Sequence, residues 1–313
     1  MAPLGAAKVG LFAAAGAGGD TGAGYFGGGY TAGLVSTVDK FAFSDDSRST
    51  LGTGLSSARY YLAAMANSGT AGYFGGGGTA SAVSTVDKFA FSDDSRSTLG
   101  TGLSAATLYL AAMANSGTAG YFGGGDTGSE VDTVDKFAFS DDSRTTLGTG
   151  LSGARGNLAA MANSGTAGYF GGGYDGSSAV DTVDKFAFSD DSRTTLGTGL
   201  SGTRSNFAAM ANSGTAGYFG GGYDGSGIVD TVDKFAFSDD SRTTLGTGLS
   251  STRSNMAAMA NSGTAGYFGG GQAPSNVDTV DKFAFSDDSR TTLGTGLSAA
   301  TRVLAAMANS GSL

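Results

Sequence analysis

The sequence predicts an all-β chain folded as a six-bladed β-propeller of four-stranded antiparallel blades, the ring closed by the C-terminal strand. Three observations carry this. A unit of 48 or 49 residues recurs across nearly the whole chain of 313, a period that belongs to propellers and arrays. Gly-Tyr-Phe-Gly-Gly-Gly begins at Gly24, Gly72, Gly120, Gly168, Gly217 and Gly266, and Val-Asp-Lys-Phe-Ala-Phe begins at Val38, Val86, Val134, Val183, Val232 and Val280. Each unit contains four short segments of strand character, which make one blade. The third observation is a leftover: the last Ala-Ala-Met-Ala-Asn segment, from Ala305, has no partner strand after it.

In the second unit, strand A is expected over Leu62–Asn67, ended by Ser68-Gly69, and strand B over Ala71–Gly75, ended by further glycines. Strand C is expected over Ser84–Phe91, where Thr, Val and Phe favour a pleated, half-buried surface. Its Phe89 and Phe91 fall on one face at alternate positions. Strand D follows the turn Ser92-Asp93-Asp94-Ser95 and is expected over about Ser97–Leu103. No stretch sustains a capped helical period, and Ala-Ala-Met-Ala between glycine turns is too short to read as helix. Ala-rich strand A belongs nearest the axis, where large side chains do not fit, and each blade fills its core against the next.

Two segments compete for the inner strand of the first blade: the intact C-terminal copy, Leu304–Asn309, and a poorer one, Phe12–Gly16. The intact copy is the better candidate, and its pairing removes two open sheet edges. Residues 1–22 then form an apolar arm, free to dock on this protein or a partner, and 23–313 form the propeller. In the alternative, the N-terminal segment completes the blade and the last strand is offered to another molecule.

Composition narrows the chemistry. The chain has 57 Gly, 2 Pro and no His, Cys or Trp. Without His and Cys, the usual ligands of zinc, copper and iron–sulfur centres are absent, as are Ser–His–Asp and Cys–His nucleophilic sites. No cofactor and no metal are expected. A net charge of −9 argues against nucleic acid, whose groove needs a clustered basic surface. No apolar run approaches the roughly 18 residues of a membrane span. Val9–Gly19 is apolar but short, and it lacks the basic start and cleavage site of a secretory signal.

The repeat resembles the kelch motif over residues 25–308. Arg59, Arg155, Arg204 and Arg253 match its Arg near the start of strand A. Gly75-Gly76-Gly77 and its copies match the Gly-Gly pair ending strand B, and Phe89 matches the aromatic of strand C. The kelch Trp of strand D is absent, with Leu99 nearby, and Thr107 and Thr301 replace the Arg in two units. Ser44-Asp45-Asp46-Ser47-Arg48-Ser49-Thr50-Leu51 is similar to the Asp-box turn of sialidase-type propellers. That turn braces a hairpin away from the active site, so the resemblance implies fold and not hydrolysis. More loosely, Gly-rich, Cys-free repeats of this kind resemble repeat proteins of phage virion appendages.

The A–B loop (Asn67-Ser68-Gly69-Thr70) and the C–D turn scarcely change between complete units, whereas the B–C loops and D–A connections vary. In an up-and-down blade those two variable sets emerge on one face of the disc. Binding residues favour loops held by a rigid scaffold. The candidate binding residues are therefore Tyr30, Tyr60, Tyr61, Tyr109, Asp126, Glu130, Arg155, Tyr174, Asp175, Arg204, Tyr223, Asp224, Arg253 and Gln272. Neutral drift in unconstrained loops would give the same pattern.

The remaining constellations read as structural. Asp45-Asp46 and its copies sit in a turn, where Asp and Ser bond local backbone, and a catalytic pair needs two unlike environments. Asp39-Lys40 and Asp46…Arg48 read as solvated pairs worth little each. Gly22-Ala23-Gly24-Tyr25-Phe26-Gly27 fits G-x-G-x-x-G, but it lies in a strand with no helix after it. The expectation is a non-enzymatic structural or adhesive module on a virion or cell surface, whose partner is a protein or a surface glycan. A carbohydrate-binding propeller is the alternative, with Tyr standing in for the missing Trp, and a glycoside hydrolase or lyase comes third.

Overall fold

A computed structural model of the chain describes residues 22–309. Among them, 24 strands and no helix form six four-stranded antiparallel sheets, one per blade. In the second blade the strands are Ala63–Asn67, Ala71–Gly75, Val86–Ala90 and Arg96–Thr98, in sheet order. Strand C is shorter than the sequence suggests. Strand D stops at Thr98 instead of running on to Leu103. Gly100 and Gly102 interrupt it, and the Leu103 N–H turns back to donate to the Ser84 carbonyl at 2.8 Å.

The C-terminal strand Ala305–Ala308 takes the inner place of the first blade and pairs with Ala23–Gly27, Gly27 opposite Ala305 and Gly24 opposite Ala308. Asn309 latches the pair. Its Oδ1 accepts the Ala23 N–H at 2.7 Å and its own N–H donates to the Ala23 carbonyl at 2.9 Å. The arm expected over residues 1–22 lies outside the described residues, apart from Gly22.

Strand B explains why each unit is written Gly-Tyr-Phe-Gly. Successive side chains point to opposite faces of a strand. Tyr73 packs towards the third blade, its ring stacked on Phe139 at 5.3 Å. Phe74 packs towards the first, edge-on to Phe89 at 5.7 Å. The glycines are sockets: a Cβ on Gly72 would overlap Met307 Sδ, and one on Gly75 would strike the Phe122 ring. Each blade's Phe thus enters a gap left by its neighbour's glycine. The core is six such wedges between blades, each drawing buried residues from two neighbours.

The constant loops hold blade to blade. In the C–D turn, Asp93 braces its own hairpin by accepting the Ser95 N–H at 3.0 Å. Asp94 is left-handed, with φ 56°, and reaches the preceding blade. There it accepts the Tyr25 hydroxyl at 2.8 Å and pairs with Lys40 Nζ at 2.7 Å. The same clip recurs around the ring and ends with Tyr267 and Lys282 on Asp46. This corrects the expectation for the charged pairs. One Asp of each turn braces locally, the other joins blades, and Asp39 is buried at 5% exposure. In the A–B loops, the Ser68, Ser116, Ser164 and Ser213 N–H groups each donate to the serine hydroxyl of the following blade at 2.9–3.0 Å.

Candidate functional site

The face opposite those clips carries the B–C loops and D–A connections. At its centre Tyr61, Tyr109, Asn157, Asn206, Asn255 and Val303 hold left-handed φ values of 53–58°. Each N–H donates to the carbonyl of its counterpart in the preceding blade at 2.7–3.1 Å, and Val303 with Tyr61 completes the circle. Asn tolerates this conformation, whereas Tyr and above all Val are strained in it. The ring of backbone bonds fixes six side chains around the axis.

Those side chains divide into two arcs. Tyr61 lies between Tyr60 and Tyr109, with ring centroids 4.8 and 4.1 Å away. Asn157, Asn206 and Asn255 supply amides on the other side. Tyr61, Tyr109, the three asparagines and Val303 line a cavity of about 100 Å³ together with Leu62, Leu110, Phe207 and Met256. Below it runs a channel lined by the alanines of strand A, as expected for the crowded axis. Burial, reinforced by Tyr61 and Tyr60, pushes the Tyr109 phenol up to about 12.

A second recess of about 330 Å³ lies between the B–C loops of the fourth and fifth blades, where Tyr174 and Tyr223 share it with Ser177, Ser178 and Thr203. Tyr223, 41% exposed, is the one exposed large hydrophobic side chain among the described residues. Asp175 and Asp224 cap their own loops. Asp175 accepts the Ser177 and Ser178 N–H groups at 2.8 Å, and Asp224 those of Ser226 and Gly227 at 2.8 and 2.9 Å. These bonds hold both carboxyls below the usual range. Asp126 caps Gly128 in the same way and lies opposite Glu130 in a bridge. Tyr30 and Gln272 meet through Arg302, whose guanidinium lies 5.3 Å over the Tyr30 ring and donates to Gln272 Oε1 at 2.6 Å.

Arg155, Arg204 and Arg253 require a correction, because the structure withdraws all three from the face. Each is at most 2% exposed. Arg253 donates to the carbonyls of Gly270 and Thr279 at 3.2 and 3.0 Å and pairs with Asp281 of strand C. Burial pushes its pKa down, and Asp281 opposes that shift. A buried carboxylate needs a cation, and the D–A connection provides it in four blades. The signal was present in the sequence: in four units an Arg precedes the strand-C Asp by 28 or 29 residues. Sequence reasoning also missed Asn157, Asn206, Asn255 and Arg302. The Asn recurring at one position of three connections pointed to the axial ring.

Arg253→Ala removes the cation on Asp281 Oδ2 and leaves, among the described residues, Arg290 at 3.6 Å from Oδ1, so a loss of about 3–5 kcal/mol is expected, measured by chemical denaturation. A loss below about 1 kcal/mol, the range of surface pairs, would contradict this role.

No protein-family model and no curated protein matches this chain. Among the described residues no helix is long and apolar enough to cross a membrane.

Proposed function

We propose that the chain is a non-enzymatic structural or adhesive binding module, a kelch-like disc displayed on a virion or cell surface that binds through its variable loop face. The observation that carries this reading is a division of labour. The constant loops are engaged in holding blades together, and the side chains free to differ gather on the other face, with the tilted rings of Tyr60, Tyr61 and Tyr109 in contact at its centre. The repeated Asp pairs are committed to turns and clips, which supports a binding role over acid–base catalysis. The loose resemblance to phage appendage repeats supports the surface setting.

A glycan ligand is the second reading, favoured by the axial mouth. Phenol rings beside an arc of amides and apolar side chains suit a sugar, which has apolar ring faces and hydroxyl edges. Binding of the full chain to an immobilised glycan array tests both readings, with sedimentation of the same samples. Binding that falls at least tenfold in Tyr109→Ala, with an unchanged melting temperature, selects the glycan. Self-assembly lost on deleting residues 1–22 selects the structural module. Turnover of an array glycoside would overturn the non-enzymatic reading.

A further inference from the structure

The six blades provide an internal comparison at the buried strand-C aspartate. In the second blade, Arg59 Nη2 lies 2.5 Å from Asp87 Oδ2, and Nη1 donates to the Gly76 and Thr85 carbonyls at 2.9 Å each. The Ser56 N–H and hydroxyl complete the same carboxylate at 2.9 and 2.8 Å. Arg204 and Arg253 repeat this arrangement, and Arg155 pairs with Asp184 at 2.9 Å.

The first blade keeps the acceptors and replaces the arginine. Thr301 stands in its place, and its hydroxyl donates to the Ala299 carbonyl at 2.8 Å instead of to the carboxylate. Asp39 Oδ2 accepts the Ser298 N–H at 2.8 Å. Among the described residues the one cation that reaches Asp39 is Arg48, 3.7 Å from the other oxygen, Oδ1. Beside this carboxylate is a cavity of about 130 Å³, lined by Gly28, Thr31, Thr37, Asp39, Ser298 and Thr301. Gly28 and Thr37 are the counterparts of Gly76 and Thr85. Ser298 and Ala299 are exposed, so the cavity opens on the loop face. The third blade has the same replacement, Thr107, but its cavity beside Asp135 is about 20 Å³, room for roughly one water.

We propose that the Asp39–Thr301 cavity is a binding site for a guanidinium group from outside the chain. The sibling blades show the chemistry: a planar fork with donors on two edges meets a carboxylate and two carbonyls. An ammonium group, a point charge without that fork, matches the acceptors less well. The group enters from the loop face, either as a small guanidine compound or as an arginine side chain of a partner protein. The inference is independent of what the axial mouth binds.

The test is calorimetric titration of the full chain with methylguanidinium chloride against sodium chloride of equal ionic strength, with thermal melting of the same samples. Saturable binding of one equivalent and a raised melting temperature are expected, as for any ligand of the native state. Thr301→Arg, which supplies the sibling side chain, is expected to weaken binding at least tenfold and to melt higher without ligand. Thr107→Arg is expected to leave binding unchanged. A short peptide with a central arginine separates the sources. If it competes with methylguanidinium, a partner's arginine can reach the site, and if it does not, the ligand is a small guanidine. Equal binding to wild type and Thr301→Arg, no saturable binding, or methylammonium bound as tightly would overturn the proposal.

Discussion

Above about pH 10 the protein is expected to lose stability steeply and to unfold over a narrow pH interval. Tyr25, Tyr73, Tyr121, Tyr169 and Tyr218 are buried between blades, and each donates its hydroxyl to an aspartate of the next blade at 2.8 Å. Burial first, then the bond to the carboxylate and its charge, raise all five phenols far above the ordinary value of 10.0. The sign follows from linkage. Below the unfolded-state value both states are protonated and the contribution is fully present. Above it the unfolded chain releases protons that the native state retains, so stability falls with pH until the folded value is reached. Each phenol contributes roughly 1.4 kcal/mol per pH unit in that window, and five together contribute roughly 7. Denaturant titrations at stepped alkaline pH measure the slope. Tyr73→Phe removes one ionising group and is expected to flatten it by about one-fifth. A denaturation midpoint unchanged well above pH 10 would show that the phenols do not carry this linkage.

Deleting residues 304–313 is expected to abolish the folded monomer. The strand Ala305–Ala308 is the inner member of the first blade. Its Met307 is wholly buried in the wedge towards the second blade, and Leu304, Ala306 and Ala308 are buried towards the sixth. Losing these side chains removes on the order of 5–10 kcal/mol of burial, comparable to the whole stability of a domain. It also bares the edge of Ala23–Gly27, a template for pairing with another chain. Size-exclusion chromatography with light scattering should show oligomers or aggregate, and a peptide spanning residues 300–309 should restore the monomer. A truncated monomer that melts at the native temperature would refute closure by this strand.

Much of the fold could be read from the chain because a repeat reports its own architecture. The period and the four strand-like segments in each unit lead to six blades, and the intact copy at Ala305 leads to the closing strand. Strand ends were less legible. Strand D, expected to reach Leu103, ends at Thr98, and only the turn-back of Leu103 onto Ser84 shows where pairing stops. On the candidate face, Tyr60, Tyr61 and Tyr109 converge and Tyr174 meets Tyr223. Arg155, Arg204 and Arg253 do not join them, because a loop position says nothing about which way a long side chain turns.

The sequence by itself determined the blade count, the order of strands, the alanine-lined axis and which loops vary. These follow from periodicity and local size, properties legible within a few residues. The tertiary structure alone decided the partners. Asp94 clips Lys40, 54 positions away in the chain, because ring curvature brings one blade's turn onto its neighbour's strands. Six equivalent D–A residues close a circle of backbone bonds only because six blades surround one axis. The exchange of Arg for Thr301 becomes a cavity with a buried carboxylate only when Asp39, 262 positions earlier, is folded against it.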